Sequence, residues 1–157
     1  MNGPALEMRR IAGGDEAALA QFFALLESRG IDKYFHPHPF TPEAAHERAT
    51  YDGEDLYFGL FEAGTMLGYA MLRGWDEGYE IPSLGIVIHP DAKGQGLGRR
   101  MMEFLRTAAS RRGARTIRLR VYPDNLAAVN LYRSLGYKLS PEEDGRLWVG
   151  FLDLVRR

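Results

Sequence analysis

The segment from Ile86 to Arg112 constrains the fold more than any other. Its apolar strand end, Ile86-Val87-Ile88, runs through a glycine-rich loop, Lys93 to Gly98, into Leu97, Met101, Leu105, Ala108 and Ala109, which recur at the helical interval until Gly113 ends them. An all-apolar strand end suits a position covered on both faces, so this unit commits the chain to a sheet with helices on either side. Arg115 to Val121 alternates strictly, Ile117, Leu119 and Val121 against Thr116, Arg118 and Arg120, and is the strand that returns beside the first.

The elements before this unit follow from punctuation. A strand from Leu6 to Ile11 is broken by Gly13-Gly14-Asp15, whose aspartate is placed to cap the next helix. Leu19, Phe22, Phe23 and Leu26 give that helix one buried face, and Arg29-Gly30 ends it. The prolines in Tyr34-Phe35-His36-Pro37-His38-Pro39-Phe40 forbid helix or central strand and leave an aromatic loop. Thr41-Pro42-Glu43 opens a short helix to about Thr50, followed by a hairpin of Leu56 to Glu62 and Met66 to Arg73. After the turn Gly74 to Gly78, the run Tyr79 to His89 is strand-like, although Pro82 disturbs its register.

Asp124 or Asn125 is expected to cap a last helix through Leu135, before strands near Tyr137 to Leu139 and Leu147 to Leu154. With no repeat or linker, residues 1–157 are expected to form a single domain, long enough to build a core without disulfides.

Composition removes whole classes of chemistry. The chain has no cysteine, which excludes thiol nucleophiles, zinc knuckles and iron–sulfur clusters, and His36 and His38 alone do not make a metal site, so no metal is expected. Twenty Lys and Arg against 21 Asp and Glu give no global attraction to nucleic acid or an anionic membrane, and neither is expected as a partner. No apolar run approaches the roughly 18 residues of a membrane span, and the surroundings of Glu7, Arg9 and Arg10 are unlike a signal peptide. A cytoplasmic location is the expectation.

Three helix starts carry a capping side chain: Asp15, Thr41, and Asp124 or Asn125. The helix after Gly98 has only Gln95, Gly96 and Leu97 in that place, so the free N–H groups of its first turn lack an acceptor from a side chain. Lys93, Arg99 and Arg100 cluster at the same positive end, an arrangement that disfavours itself by roughly 0.3–1 kcal/mol per cation unless an anion sits among them. Gly94, Gly96 and Gly98 remove the Cβ atoms that would hold a phosphate oxygen away from the amides. A P-loop would need Lys-Ser or Lys-Thr after its last glycine, and a dinucleotide loop a glycine where Arg99 stands. Neither spacing fits.

The run IHPDAKGQGLGRR instead resembles motif A of the Gcn5-related N-acetyltransferases (GNAT), of the form Q/R-x-x-G-x-G/A, matched at Gly96 and Gly98 with Lys93 replacing the usual arginine or glutamine. The later run NLAAVNLYRSLGY resembles motif B of the same family at Asn125, Ala128, Leu131, Tyr132, Gly136 and Tyr137. The resemblance implies an α/β (α+β) fold: a mixed twisted sheet of six or seven strands flanked by about four helices and splayed at the strand before the loop. It also implies acetyl-CoA as cosubstrate. Ile86, Val87 and Ile88 would pair with the pantetheine arm, and an amide near Ile88 would polarise the thioester carbonyl. The loop Lys93, Gly94, Gln95, Gly96, Leu97, Gly98 and Arg99 would hold the pyrophosphate. Asn125 would bond the cofactor arm near the thiol, and Tyr132 would act as general acid.

An acceptor amine arrives protonated and needs a proton sink, for which Glu80 is the only carboxylate on the strand approaching the loop. Tyr34, His36 and His38 of the aromatic loop, with Trp75, Tyr79 and Ser83, are the candidate walls of the acceptor pocket. These flat, hydrogen-bonding walls suggest a small polar amine such as an amino sugar, acetylated by direct attack in a ternary complex. A catalytically silent CoA-binding sensor or regulatory module of the same fold is the alternative. Neither reading decides whether the chain forms a homodimer.

Overall fold

The computed structural model describes residues 5–154. Its elements are β1 (Leu6–Arg10), α1 (Glu16–Ser28), α2 (Pro42–Ala49), β2 (Leu56–Glu62), β3 (Thr65–Arg73), β4 (Ser83–Ile88), α3 (Leu97–Arg111), β5 (Thr116–Val121), α4 (Leu126–Ser134), β6 (Lys138–Pro141) and β7 (Trp148–Asp153). The strands form one seven-stranded sheet in the order β1-β2-β3-β4-β5-β7-β6. All neighbours are antiparallel except β4 and β5, joined by the crossover through α3. This is the mixed, helix-flanked sheet that the motifs imply.

Alternation along the strands divides the core in two. Leu84 of β4, Ile117, Leu119 and Val121 of β5, and Ala70 and Leu72 of β3 pack with Leu97, Met101, Met102 and Leu105 of α3 and with Val129 and Tyr132 of α4. On the other face Tyr69, Met71 and Val87 pack with Leu19, Phe22, Phe23 and Leu26 of α1 and Ala44 and Ala45 of α2. That second cluster reaches no further than β4. The corresponding face of β5, with Arg118 and Arg120, carries no helix from it.

Three expectations change. Asp15 precedes α1 but makes no capping bond; its carboxylate accepts from the Ala12 N–H (2.8 Å) and from Arg9 (2.8 and 2.9 Å). A strong cation nearby outcompetes the helix amides for the same oxygens. Asn125 likewise makes no side-chain cap on α4, so among the four helices only α2 is capped by a side chain, Thr41 accepting from the Ala44 N–H at 3.1 Å. The absence of a capping side chain therefore does not by itself set α3 apart.

Finally, the strand begins at Ser83 rather than Tyr79. Asp55, buried, accepts from the Gly74 and Trp75 N–H groups (2.9 and 2.8 Å) and holds a tight turn there, while Gly74 and Gly78 take positive φ. Tyr79 to Pro82 then lead into β4 outside the ladder.

Candidate active site

Pairing between β4 and β5 consists of one register pair, Ser83 with Arg118, preceded by the Arg118 N–H donating to the Pro82 carbonyl (3.0 Å). Beyond it the two strands part, while β4 stays paired with β3 all the way from Arg73–Ser83 to Gly68–Ile88. Alternate backbone groups of Ile86, Val87 and Ile88 therefore point to a side with no strand on it. A cleft of about 370 Å³ fills the split, lined by these three residues, by Lys93, Gly94, Gly96, Leu97 and Gly98, and by Asn125 and Tyr132.

The start of α3 brings free amides to this cleft. The first hydrogen bond of α3 is the Arg100 N–H to the Gly96 carbonyl (3.2 Å), so the N–H groups from Gly94 to Arg99 have no backbone acceptor. Gly94 and Gly96 take φ of 81° and 74°, and a Cβ at either would meet nothing within 4 Å, so the space beside these glycines is open. A Cβ at Gly98 would meet Ile88 and Leu131 side chains at 3.1 Å; that glycine lets β4, α3 and α4 close together.

Lys93 lines the cleft, whereas Gln95 and Arg99 do not. Arg99 is turned away to donate to Ser134 Oγ (2.7 Å). Of the expected cluster of cations only Lys93 lines the cleft, beside the free amides of the loop.

Asn125, just before α4, and Tyr132 within it bring the polar side chains of this wall. Asn125 makes no hydrogen bond through its side chain among the described residues, leaving its amide available beside the cleft. Tyr132 is buried at 8% exposure, and burial pushes its phenol up to about 12. It holds its proton throughout the neutral range.

The aromatic loop spans the mouth of the split. Tyr34 donates to Asp124 (3.1 Å) and packs on Tyr122, while His36 Nε2 lies 2.9 Å from the Tyr122 hydroxyl. Under the loop lies a second cleft of about 290 Å³, lined by Tyr34, Phe35, His36, Pro37, Ser83, Gly85, Arg73, Arg118, Arg120 and Tyr122 among others. The two clefts share Tyr34, Phe35, Leu84, Gly85 and Arg120, so they meet beside Gly85. Of the expected acceptor walls, Tyr34, His36 and Ser83 are brought together here.

The others are not. Glu80 and Tyr79 are exposed, Tyr79 at 62%, and line neither cleft, because β4 starts three residues after Glu80. Trp75 packs against the core under the guanidinium of Arg112. Asp76 and Glu77 face the loop across a separate cavity of about 400 Å³ beside α2, where Asp76 already accepts from the Tyr51 hydroxyl and the Glu54 N–H. His38 is structural: its Nδ1 lies 2.7 Å from the Pro39 carbonyl, so it carries the proton, and Nε2 accepts from the Tyr69 hydroxyl at 2.8 Å. Burial holds this imidazole below the usual histidine range.

The arginines of the second cleft escaped the sequence analysis. Their signal was present in the polar positions of the alternating strand, Arg118 and Arg120, but that face reads as solvent-exposed until the loop is seen to cover it. Among the described residues no group of three His, Asp or Glu is placed to hold a metal ion.

A mixed sheet parted at its one parallel pair, with an amide cradle closing the split, defines the acetyltransferase class of α/β proteins. The chain belongs to the acetyltransferase (GNAT) family, whose profile matches residues 21–137. It is 32% identical over 124 residues to the ribosomal protein bS18-alanine N-acetyltransferase of Escherichia coli, covering 74% of this chain and 80% of that protein. An uncharacterized protein of Mycobacterium leprae is 34% identical over 99 residues; the match takes in 62% of this chain and 27% of that longer protein. The structure of a GCN5-related N-acetyltransferase from Kribbella flavida superposes with a TM-score of 0.76 at 26% identity, covering 95% of this chain and 98% of that one.

Proposed function

We propose that the chain transfers an acetyl group from acetyl-CoA to the primary amine of a small molecule by direct attack in a ternary complex. The observation that carries this reading is the convergence, in one cleft, of an unpaired strand edge, a cradle of free amides, the Asn125 side chain and the Tyr132 phenol. A long ligand with a diphosphate at one end fits that order, and the open space above Gly94 and Gly96 leaves room for it.

When bound, acetyl-CoA supplies the activated acetyl group as a thioester. Ile86, Val87 and Ile88 offer backbone partners for an extended arm, and an amide near Ile88 stabilises negative charge on the thioester oxygen. Lys93 and the amides from Gly94 to Arg99 hold the diphosphate. Asn125 orients the arm near its sulfur, and Tyr132 directs its O–H at the same place. His36, on the wall of the second cleft, is the proton acceptor that the geometry favours for the amine. Glu80, exposed beyond the start of β4, reaches it only through solvent.

The modest second cleft supports a small acceptor such as an amino sugar. Similarity to an enzyme named for acetylating an alanine of a ribosomal protein makes a peptide N-terminus the acceptor to test beside it. The decisive experiment pairs calorimetry with acetyl-CoA and thiol release across amino sugars, amino acids and a short peptide beginning with alanine. Binding together with release on a small amine is expected. Tight binding without release on any amine would instead support a CoA-binding regulatory module, and failure to bind acetyl-CoA would end the reading altogether.

A further inference from the structure

Three neighbouring strands bring Arg73, Ser83 and Arg118 into one row. Arg73 of β3 pairs in register with Ser83 of β4, and Ser83 pairs with Arg118 of β5. Register partners point to the same face of a sheet, so both guanidiniums and the hydroxyl stand on the face below the aromatic loop, and all three line the second cleft. Two strand spacings put the Arg73 and Arg118 Cα atoms roughly 10 Å apart, with Ser83 midway. Arg120, two residues along β5, stands on the same face but is bound by Glu142 at 2.5 Å.

Arg73 and Arg118 have no such partner. Both are half-buried, and neither forms an ion pair among the described residues. Arg73 donates to the Pro37 carbonyl (3.0 Å) and Arg118 reaches Ser83 Oγ at 3.4 Å, which leaves most of their ten N–H donors free. No Asp or Glu lines this cleft. Arg73 also borders the cavity beside α2, whose walls carry Glu43, Glu47, Asp55, Asp76 and Glu77, so the less compensated of the two is Arg118, half-buried and facing no carboxylate in its cleft, a state that an incoming anion relieves. The same field opposes a ligand whose only charge is an ammonium.

We infer that the acceptor is a small amine that also carries an anionic group, a carboxylate or a phosphate, clamped by Arg73 and Arg118 over Ser83. The amine then points toward Gly85, where the two clefts meet. A Cβ there would crowd Met71 (3.1 Å) and Phe35 (3.3 Å), so glycine lets these side chains pack against β4 where the clefts meet. The inference rests on the acetyl-transfer reading for the purpose of the site, but the anion preference is a property of the cleft itself and can be measured without turnover.

The test uses two matched pairs: aspartate against the amide of asparagine, and glucosamine 6-phosphate against glucosamine. Each is titrated calorimetrically into the protein saturated with CoA, and each is assayed for thiol release from acetyl-CoA. In at least one pair the anionic member is expected to bind about 10-fold tighter or more, with Arg118→Gln or Arg73→Gln bringing the two members to within about 2-fold, as charge-assisted bonds of ordinary strength imply. The pair that shows the preference identifies the anion as carboxylate or phosphate. No preference for the charged member in either pair overturns the inference, while thiol release from neutral amines would leave acetyl transfer standing. The converse result, a clear anion preference with no thiol release on any amine, keeps the anion clamp and refutes the transferase reading.

Discussion

Tyr132 shows how burial changes what a residue can do. A phenol at about 12 facing a thiol whose reference pKa is near 8.5 would give up its proton against a gradient of roughly 3–4 units. In the proposed transfer its contribution would thus be a hydrogen bond to the sulfur as charge develops, with the proton crossing late. Tyr132→Phe keeps the ring that packs on Tyr137 and removes only the O–H. The expected outcome is a fall in kcat of about 100-fold or more with CoA affinity nearly unchanged; an unchanged kcat would exclude the role. Motif position alone identified this tyrosine, because nothing in its helical spacing distinguishes it from a core aromatic. By contrast, the roles expected for Asp15 and Glu80 depended on where neighbours fell in space, Arg9 in one case and the late start of β4 in the other.

At the scale of elements, the working part is the unit of β4, its loop and α3. Its proposed anion site is not marked by a missing capping side chain, since α1 and α4 lack one too. What distinguishes the loop is the pair of left-handed glycines at 94 and 96 beside the strand split, the arrangement proposed to receive a diphosphate. Gly96→Asp tests this. At φ of 74° the substitution costs about 1–2 kcal/mol of backbone strain, and its carboxylate enters the space meant for a diphosphate. CoA affinity is expected to fall at least 10-fold by calorimetry, in excess of any change in melting temperature; normal affinity would place the diphosphate elsewhere. The glycine spacing made this loop legible in the sequence. The split beside it was implied only by family resemblance, because pairing between β4 and β5 depends on residues far apart in the chain.

Across the whole molecule, two core clusters lie on opposite faces of the sheet and the aromatic loop covers the second cleft. His38 ties that loop to the core through Tyr69 and packs at steep ring angles against Phe23 and Phe40, and it does so as a neutral ring. Its folded pKa lies below the unfolded value near 6.5, so its contribution to stability is complete above that pH and is lost as pH falls below it, because the unfolded chain then binds the extra proton. Urea midpoints taken between pH 7 and 5 are expected to fall less steeply for His38→Gln than for the parent chain; parallel slopes would show that the ring titrates freely.

By itself the amino-acid sequence determined the order of elements, the glycine cradle and the family, since periodicity, turn residues and motif spacing are local properties of a chain. Only the tertiary structure decided that Arg73, Ser83 and Arg118 share a row, that Glu80 stands outside it and that the loop roofs a second cleft. Strand register and the covering of a polar face are set by contacts between distant segments, and no window of sequence contains both partners.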